Sequence, residues 1–269
     1  MSPHIFIFTA LPSEAKGLIA DLNLKRWQGS SVYGLFVNET YCLTVTGMGK
    51  AAMAAGMGYT FGTFSKVVNP VIINVGIGGH GHFALGTVLA AQKIIDMDSR
   101  RCFYPQLVGS IPIGTEIIAS VSIPETAYQQ PYVYEMEAAA FYEVALSFST
   151  AELVQVVKVI SDNSASPVEK ITPQWVTALM IPALGSIRAV IDELSVLRGR
   201  LPAGEPVDYQ RVTEQWKFTV SQKSQLKKLL WRFQVLSDQS LPEDFETGSF
   251  LLRWLEQEVD QLAVKTTLL

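Results

Sequence analysis

Short unbroken apolar runs alternate along the chain with stretches in which apolar residues recur at helical spacing. His4–Thr9 is a β-rich run, and Leu11-Pro12-Ser13-Glu14 opens an amphipathic helix towards Leu22. Proline near a first helical position, with serine and glutamate beside it, is a helix-start signal. Ser31–Val37 and Tyr41–Thr46 alternate around Asn38-Glu39, which predicts a hairpin. Gly47-Met48-Gly49-Lys50 leads into an Ala/Met-rich helix over Ala51–Phe61. Val68–Val75 is a mainly apolar run, as expected of a strand buried on both faces, and is predicted to end in the glycine turn Gly76-Ile77-Gly78-Gly79-His80-Gly81. Thr87–Ile95, Thr115–Val121 and Val154–Ile160 predict further strands; Glu137–Phe148 and Trp175–Leu197 predict helices. This alternation implies a mainly parallel or mixed sheet with helices on both sides.

The pattern changes near Arg198–Pro206, an Arg/Gly/Pro-rich stretch. Beyond it, Tyr209–Ser237 and Gly248–Leu262 are amphipathic helical stretches that carry Trp216, Trp231 and Trp254. Residues 1–199 are therefore expected to form one α/β domain and residues 200–269 a helical extension. Its aromatic and leucine stripe is expected to pack on a core or a partner chain rather than hold a cofactor.

Composition narrows the class. Of 269 residues 48% are apolar and 17% charged, which suits a well-buried globular protein. The net charge of −4 lacks the basic field that nucleic-acid binding needs. Met1-Ser2-Pro3-His4 places no basic region ahead of an apolar run, and no uninterrupted apolar stretch has the length of a bilayer span. A cytoplasmic protein with no membrane or nucleic-acid partner is expected. Cys42 and Cys102 show no CxxC spacing and are expected to be reduced thiols. His4, His80 and His82 do not form a metal-ligand pattern, so no metal or organic cofactor is expected.

Polar residues fall at strand ends. Glu14 follows the first strand, the glycine cluster follows Val68–Val75, and Asp162 follows Val154–Ile160. In open α/β sheets, ligands bind beyond the carboxyl ends of strands. Glu135 and Glu137 interrupt the apolar segment Tyr132–Ala140 just before a helix. Each alone has a plainer explanation, since an acidic residue at a helix start stabilises the dipole.

Together these residues carry a resemblance. Glu135-Met136-Glu137-Ala138 followed by Ile160-Ser161-Asp162 resembles the paired motifs of the purine nucleoside phosphorylase and nucleosidase superfamily, nearest its methylthioadenosine/S-adenosylhomocysteine nucleosidase branch. Ala10-Leu11-Pro12-Ser13-Glu14-Ala15 is similar to that branch's segment holding a water-activating glutamate, and Gly47–Lys50 and Asn74–Gly79 match two of its glycine turns. The resemblance covers roughly residues 4–198. It implies a three-layer α/β fold with a mixed central sheet, a nucleoside as small-molecule ligand, and a homo-oligomer, foremost a dimer. It implies hydrolysis of a purine N-glycosidic bond, with adenosine, methylthioadenosine or S-adenosylhomocysteine as the substrate type. Asp162 would hand a proton to N7 of the leaving purine, with Ser161 orienting it. Glu137 would bind the ribose hydroxyls, Met136 would pack under the ribose, and Glu135, Gly78 and Gly79 would complete the substrate site. Glu14 would activate water, kept ionised by its place near a helix N-terminus. Where the phosphate-dependent relatives carry arginines, this chain reads Leu11-Pro12-Ser13-Glu14 and Ile73-Asn74-Val75-Gly76, so water is the expected nucleophile.

The stretch from Gly79 to Glu137 is short for this branch, and Ala119-Ser120-Val121-Ser122-Ile123-Pro124 replaces a Ser-Gly-Asp-x-Phe strand end. Phe83, Phe103, Tyr128 and Tyr132 are candidates to stack on the base. Three alternatives stay open: a phosphate-dependent phosphorylase, a non-catalytic nucleoside-binding or assembly protein, and dinucleotide binding. The last rests on Gly76–Gly81, which spells GxGxxG with Asp96 about twenty residues on, but it requires a helix directly after the glycines. His80 and His82 are expected to be turn residues.

Overall fold

The computed structural model describes residues 3–29, 32–65, 67–107, 113–201, 204–237 and 239–267. Ser31, first residue of the expected hairpin, lies outside them. The chain divides into two compact units, Met1–Pro202 and Ala203–Leu269.

The N-terminal unit is built on a ten-stranded mixed sheet. β1 (Ile5–Thr9) pairs in parallel with β4 (Tyr41–Val45) on one side and β5 (Val71–Gly79) on the other. β3 (Gly34–Val37) forms the expected hairpin with β4, and β2 (Lys25–Arg26) extends it antiparallel. On the far side, β5 pairs in parallel with β10 (Val154–Asp162). β10 pairs antiparallel with β6 (Val88–Asp96), which pairs in parallel with β8 (Gly114–Ser120) and antiparallel with β7 (Cys102–Phe103). β9 (Val133–Glu135) joins β8 in parallel and returns to β5 through the antiparallel pair Gly79–Tyr134. β5, β10, β6, β8 and β9 thus close a ring, with β1, β4, β3 and β2 extending from β5 and β7 branching from β6.

Side-chain alternation makes the layers. Ile5 and Ile7 of β1, with Val71, Ile73 and Val75 of β5, face α1 (Pro12–Asp21) and α4 (Pro173–Arg200). Phe6 and Phe8, with Ile72, face α2 (Lys50–Thr63) and α3 (Ala138–Ala145). A strand whose odd and even residues are both apolar is buried on both faces, here by a helical layer on each side. α4 is long and apolar enough to cross a membrane by length and composition alone. One face of it, including Met180, Ile187 and Leu194, packs into the core, as a core helix does.

Two expectations need correction here. The chain does not turn at Gly76: β5 runs on through Gly79, and β10 likewise continues to Asp162. The glycines serve close packing. A Cβ at Gly76 would stand 2.8 Å from Glu14 Oε1, and one at Gly78 would stand 2.6 Å from Val133 Cγ1. β9 lacked a signal because its three residues carry no alternation of their own.

In the C-terminal unit the expected helix over Tyr209–Ser237 is two helices, α5 (Tyr209–Gln215) and α6 (Val220–Leu236). The break is a cap. Thr219 Oγ1 accepts from the Gln222 N–H at 3.2 Å while Gln222 Oε1 accepts from the Thr219 N–H at 2.9 Å. Leu226, Leu230 and Phe233 of α6 pack against Leu251, Leu255 and Val259 of α7 (Gly248–Thr267), with Trp216 and Trp254 against this same core.

Candidate active site

Four segments deliver polar groups to one place. Glu14 sits in the first turn of α1. Its Oε2 accepts from the Ala10 and Leu11 N–H groups at 2.9 and 2.8 Å, and its Oε1 accepts from Ile77 N–H of β5 at 2.9 Å. The side chain therefore folds back across the end of β1 onto β5, into space left by the missing Cβ of Gly76. Burial pushes this carboxyl above its ordinary range, against the pull of Lys158 and the three N–H groups. The helix-start N–H groups pull the carboxyl downward, as expected of that position, and burial pulls harder in the opposite direction.

Glu135, the last residue of β9, is buried and engaged on both oxygens. Oε2 lies 2.8 Å from Lys158 Nζ and accepts from Glu137 N–H at 3.0 Å; Oε1 accepts from the Ser120 hydroxyl and from Ala138 N–H. It thus caps α3 and holds the lysine. Glu137 precedes α3, and its Oε1 accepts from Gly49 N–H, just ahead of α2, at 2.7 Å. Burial and the neighbouring Glu135 carboxylate push Glu137 up to about 7, against Lys158 and the Gly49 N–H.

Lys158 was not among the expected site residues. It occupies the middle of β10 with its side chain 1% exposed. Burial works against its charge, but Glu135, Glu137 and Glu14 more than offset that and hold the ammonium above its ordinary range. The signal was present in the sequence: a lysine inside the largely apolar run Val154–Ile160 is rarely buried unless carboxylates meet it.

At the end of β10, Ser161 Oγ donates to Asp162 Oδ1 and the Tyr128 hydroxyl donates to Oδ2. A Cβ at Gly79 would lie 2.2 Å from Asp162 Oδ2, so this glycine makes room for the carboxyl.

Glu14, Gly78, Gly79, Glu135, Met136, Glu137, Ser161 and Asp162 all line one cavity of about 200 Å³, with an apolar wall that includes Leu11, Met48, Val121 and Ile171. Of the expected base-stacking candidates, Phe83, Phe103, Tyr128 and Tyr132 are not on that wall; the lining aromatic is Tyr134. Phe83 packs on His80 and Phe103 on Tyr142 instead. His80 is a turn residue, its Nδ1 accepting from the His82 and Phe83 N–H groups at 3.1 Å. The GxGxxG spelling carries no dinucleotide site, because its first four residues are strand and no helix follows before β6. Asp96 pairs with Lys50. Among the described residues no group of histidine, cysteine and carboxylate side chains could hold a metal ion. Cys42 and Cys102 are free thiols.

No protein-family model and no curated protein matches the chain. Solved structures do. The Arabidopsis thaliana 5′-methylthioadenosine nucleosidase superposes with a TM-score of 0.59 at 16% identity, covering 72% of this chain and 96% of its own. The Helicobacter pylori 5′-methylthioadenosine/S-adenosylhomocysteine nucleosidase, crystallised with butyl-thio-DADMe-Immucillin-A, gives 0.57 at 13% identity, covering 72% and 99%. The futalosine hydrolase of the same organism gives 0.56 at 14% identity, covering 72% and 99%. A ten-stranded mixed sheet between two helical layers, matched over nearly the full length of these enzymes, gives this chain the fold of the 5′-methylthioadenosine/S-adenosylhomocysteine nucleosidases.

Proposed function

We propose that this chain is a nucleosidase that hydrolyses the N-glycosidic bond of a purine nucleoside. The observation that carries the proposal is the convergence of Glu14, Glu137 and Asp162, from three separate segments, on one cavity. The fold's occurrence in nucleosidases supports it.

In the proposed reaction the C1′–N9 bond breaks and its electron pair enters the purine, which takes a proton at N7 from Asp162. Water adds its oxygen to C1′ and gives a proton to Glu14. Burial raises the Glu14 carboxyl above its ordinary range, which makes its carboxylate a stronger base towards water. Glu137 binds the ribose hydroxyls, and the carboxylate cluster offsets positive charge that develops on the sugar. Met136 packs under the ribose.

Water suits the site better than phosphate. Glu14, Glu125, Glu135, Glu137 and Asp162 line the cavity, and among the described residues that line it none is a lysine, arginine or histidine. The nearby Lys158 is committed to Glu135. An oxyanion entering here meets carboxylates, without the cationic clamp that phosphate recognition uses.

The test is release of free base from a panel containing methylthioadenosine, S-adenosylhomocysteine, adenosine, inosine and futalosine, with and without phosphate. Phosphate-independent release is expected, reduced about 10²–10⁴-fold in Glu14→Gln and in Asp162→Asn. Release only with phosphate would reassign the nucleophile. Tight nucleoside binding without turnover, indifferent to Glu14→Gln, would make the chain a binding protein.

A further inference from the structure

Asp162 is held from two sides, and only one of the two holders belongs to its own strand. Ser161 is its neighbour in β10. Tyr128 comes from the segment between β8 and β9, 34 residues away in sequence. Three features single out this tyrosine. Its backbone lies at φ 44°, a left-handed conformation that a bulky aromatic residue rarely adopts and that clusters at functional sites. Its ring and the Asp162 carboxyl both press on Gly79: a Cβ there would meet Tyr128 Cε1 at 2.9 Å and Asp162 Oδ2 at 2.2 Å. Finally, Asp162 lines the cavity and Tyr128 does not, so the hydroxyl reaches the carboxyl without taking up the wall that a ligand would touch. Burial, with the Asp162 carboxylate beside it, holds the phenol well above its ordinary range, so the hydroxyl keeps its proton and remains a donor.

We propose that Tyr128 is a positioning residue for the leaving-group acid, fixing the Asp162 carboxyl and receiving the negative charge that appears on it when its proton passes to the purine. The proposal rests on the nucleosidase reading. At proton transfer the C1′–N9 pair moves into the base, N7 gains the proton, and Asp162 is left as a carboxylate facing two donors already in place, Tyr128 O–H and Ser161 O–H. Donors that need no reorganisation when charge develops lower the barrier for that step. A hydrogen bond to the charged form favours that form. The short segment between β8 and β9 would thus supply a support for the acid.

The experiment compares wild type, Tyr128→Phe and Asp162→Asn on a purine nucleoside that the panel identifies. Tyr128→Phe is expected to lower kcat about 10–100-fold while KM moves less than about threefold, because the lost bond acts in the transition state. A second arm uses para-nitrophenyl riboside, whose leaving group departs without a proton. There Tyr128→Phe should stay within about threefold of wild type, because departure of that leaving group asks no proton of Asp162. Equal kcat for wild type and Tyr128→Phe on the purine substrate overturns the proposal. So does a parallel loss on both substrates, or a rise in KM that accounts for the whole effect, since either marks Tyr128 as a support of the fold alone. Failure of the underlying reading looks different: wild type itself then releases no base from any nucleoside, whatever stands at position 128.

Discussion

Gly79→Ala tests whether the missing side chain in β5 is what admits the acid. The added methyl would sit 2.2 Å from Asp162 Oδ2 and 2.9 Å from Tyr128 Cε1, against an ordinary contact beginning at 3.4 Å. The carboxyl oxygen must retreat by more than an ångström. The backbone at Gly79 is not left-handed, so no conformational strain accompanies the change. The clashing atoms belong to side chains and not to backbone, so overpacking should cost about 1–3 kcal/mol. Activity should suffer more, because a displacement of about 1 Å costs about 10²-fold in rate, or about 3 kcal/mol of barrier. The assay is base release under saturating nucleoside beside a thermal melt. Gly62→Ala in α2 is the control: its new methyl meets nothing within 4 Å, and the fold should gain about 0.5–1 kcal/mol with kcat unchanged. A folded Gly79→Ala enzyme whose kcat stays within about threefold of wild type would refute the claim that this glycine seats Asp162.

Other consequences are open to measurement. Lys158→Met leaves Glu135 buried without its cation and should destabilise the N-terminal unit by about 3–5 kcal/mol in urea titration; adding Glu135→Gln should recover more than half. Glu137, raised from 4.5 to about 7, binds more protons folded than unfolded across that interval. Its contribution to stability is therefore full below pH 4.5 and lost as pH rises through about 7, a span worth about 3 kcal/mol. Denaturation midpoints of Glu137→Gln should fall less between pH 5 and 8 than those of wild type, and equal slopes would count against the assignment. In the C-terminal unit Leu230→Ala empties a fully buried position and should cost about 2–5 kcal/mol, read by the loss of that unit's helical signal on heating.

The layered fold was legible because β1 and β5 are apolar on both faces, and that pattern admits few architectures. The acidic site was legible because carboxylates interrupt or end apolar runs at Glu14, Glu137 and Asp162. What escaped prediction has a common physical cause. The extent of β5 was misread because a glycine run gives the same local signal whether it turns the chain or admits a neighbour's side chain. Only the three-dimensional placement of Glu14, Val133 and Asp162 distinguishes the two. Tyr128 was singled out as a possible stacking partner, yet its hydroxyl is the group in contact with Asp162, a pairing set by a loop path that no periodicity encodes. Lys158 was visible but went unused, because its partners lie on other segments.

The closure of β5, β10, β6, β8 and β9 into a ring also bears on how the folded chain behaves in a crowded solution. Strand segments paired on both sides within the ring offer no open row of backbone donors and acceptors to a passing chain. The extension from β5 ends instead in β2, a two-residue strand formed by the exposed, charged Lys25 and Arg26. The branch at β6 ends in the equally short β7. Both are too brief to template a growing intermolecular ladder, and β2 adds positive charge against stacking on its own copy. A large sheet with many apolar residues in this way ends, on these two sides, in strands of only two residues.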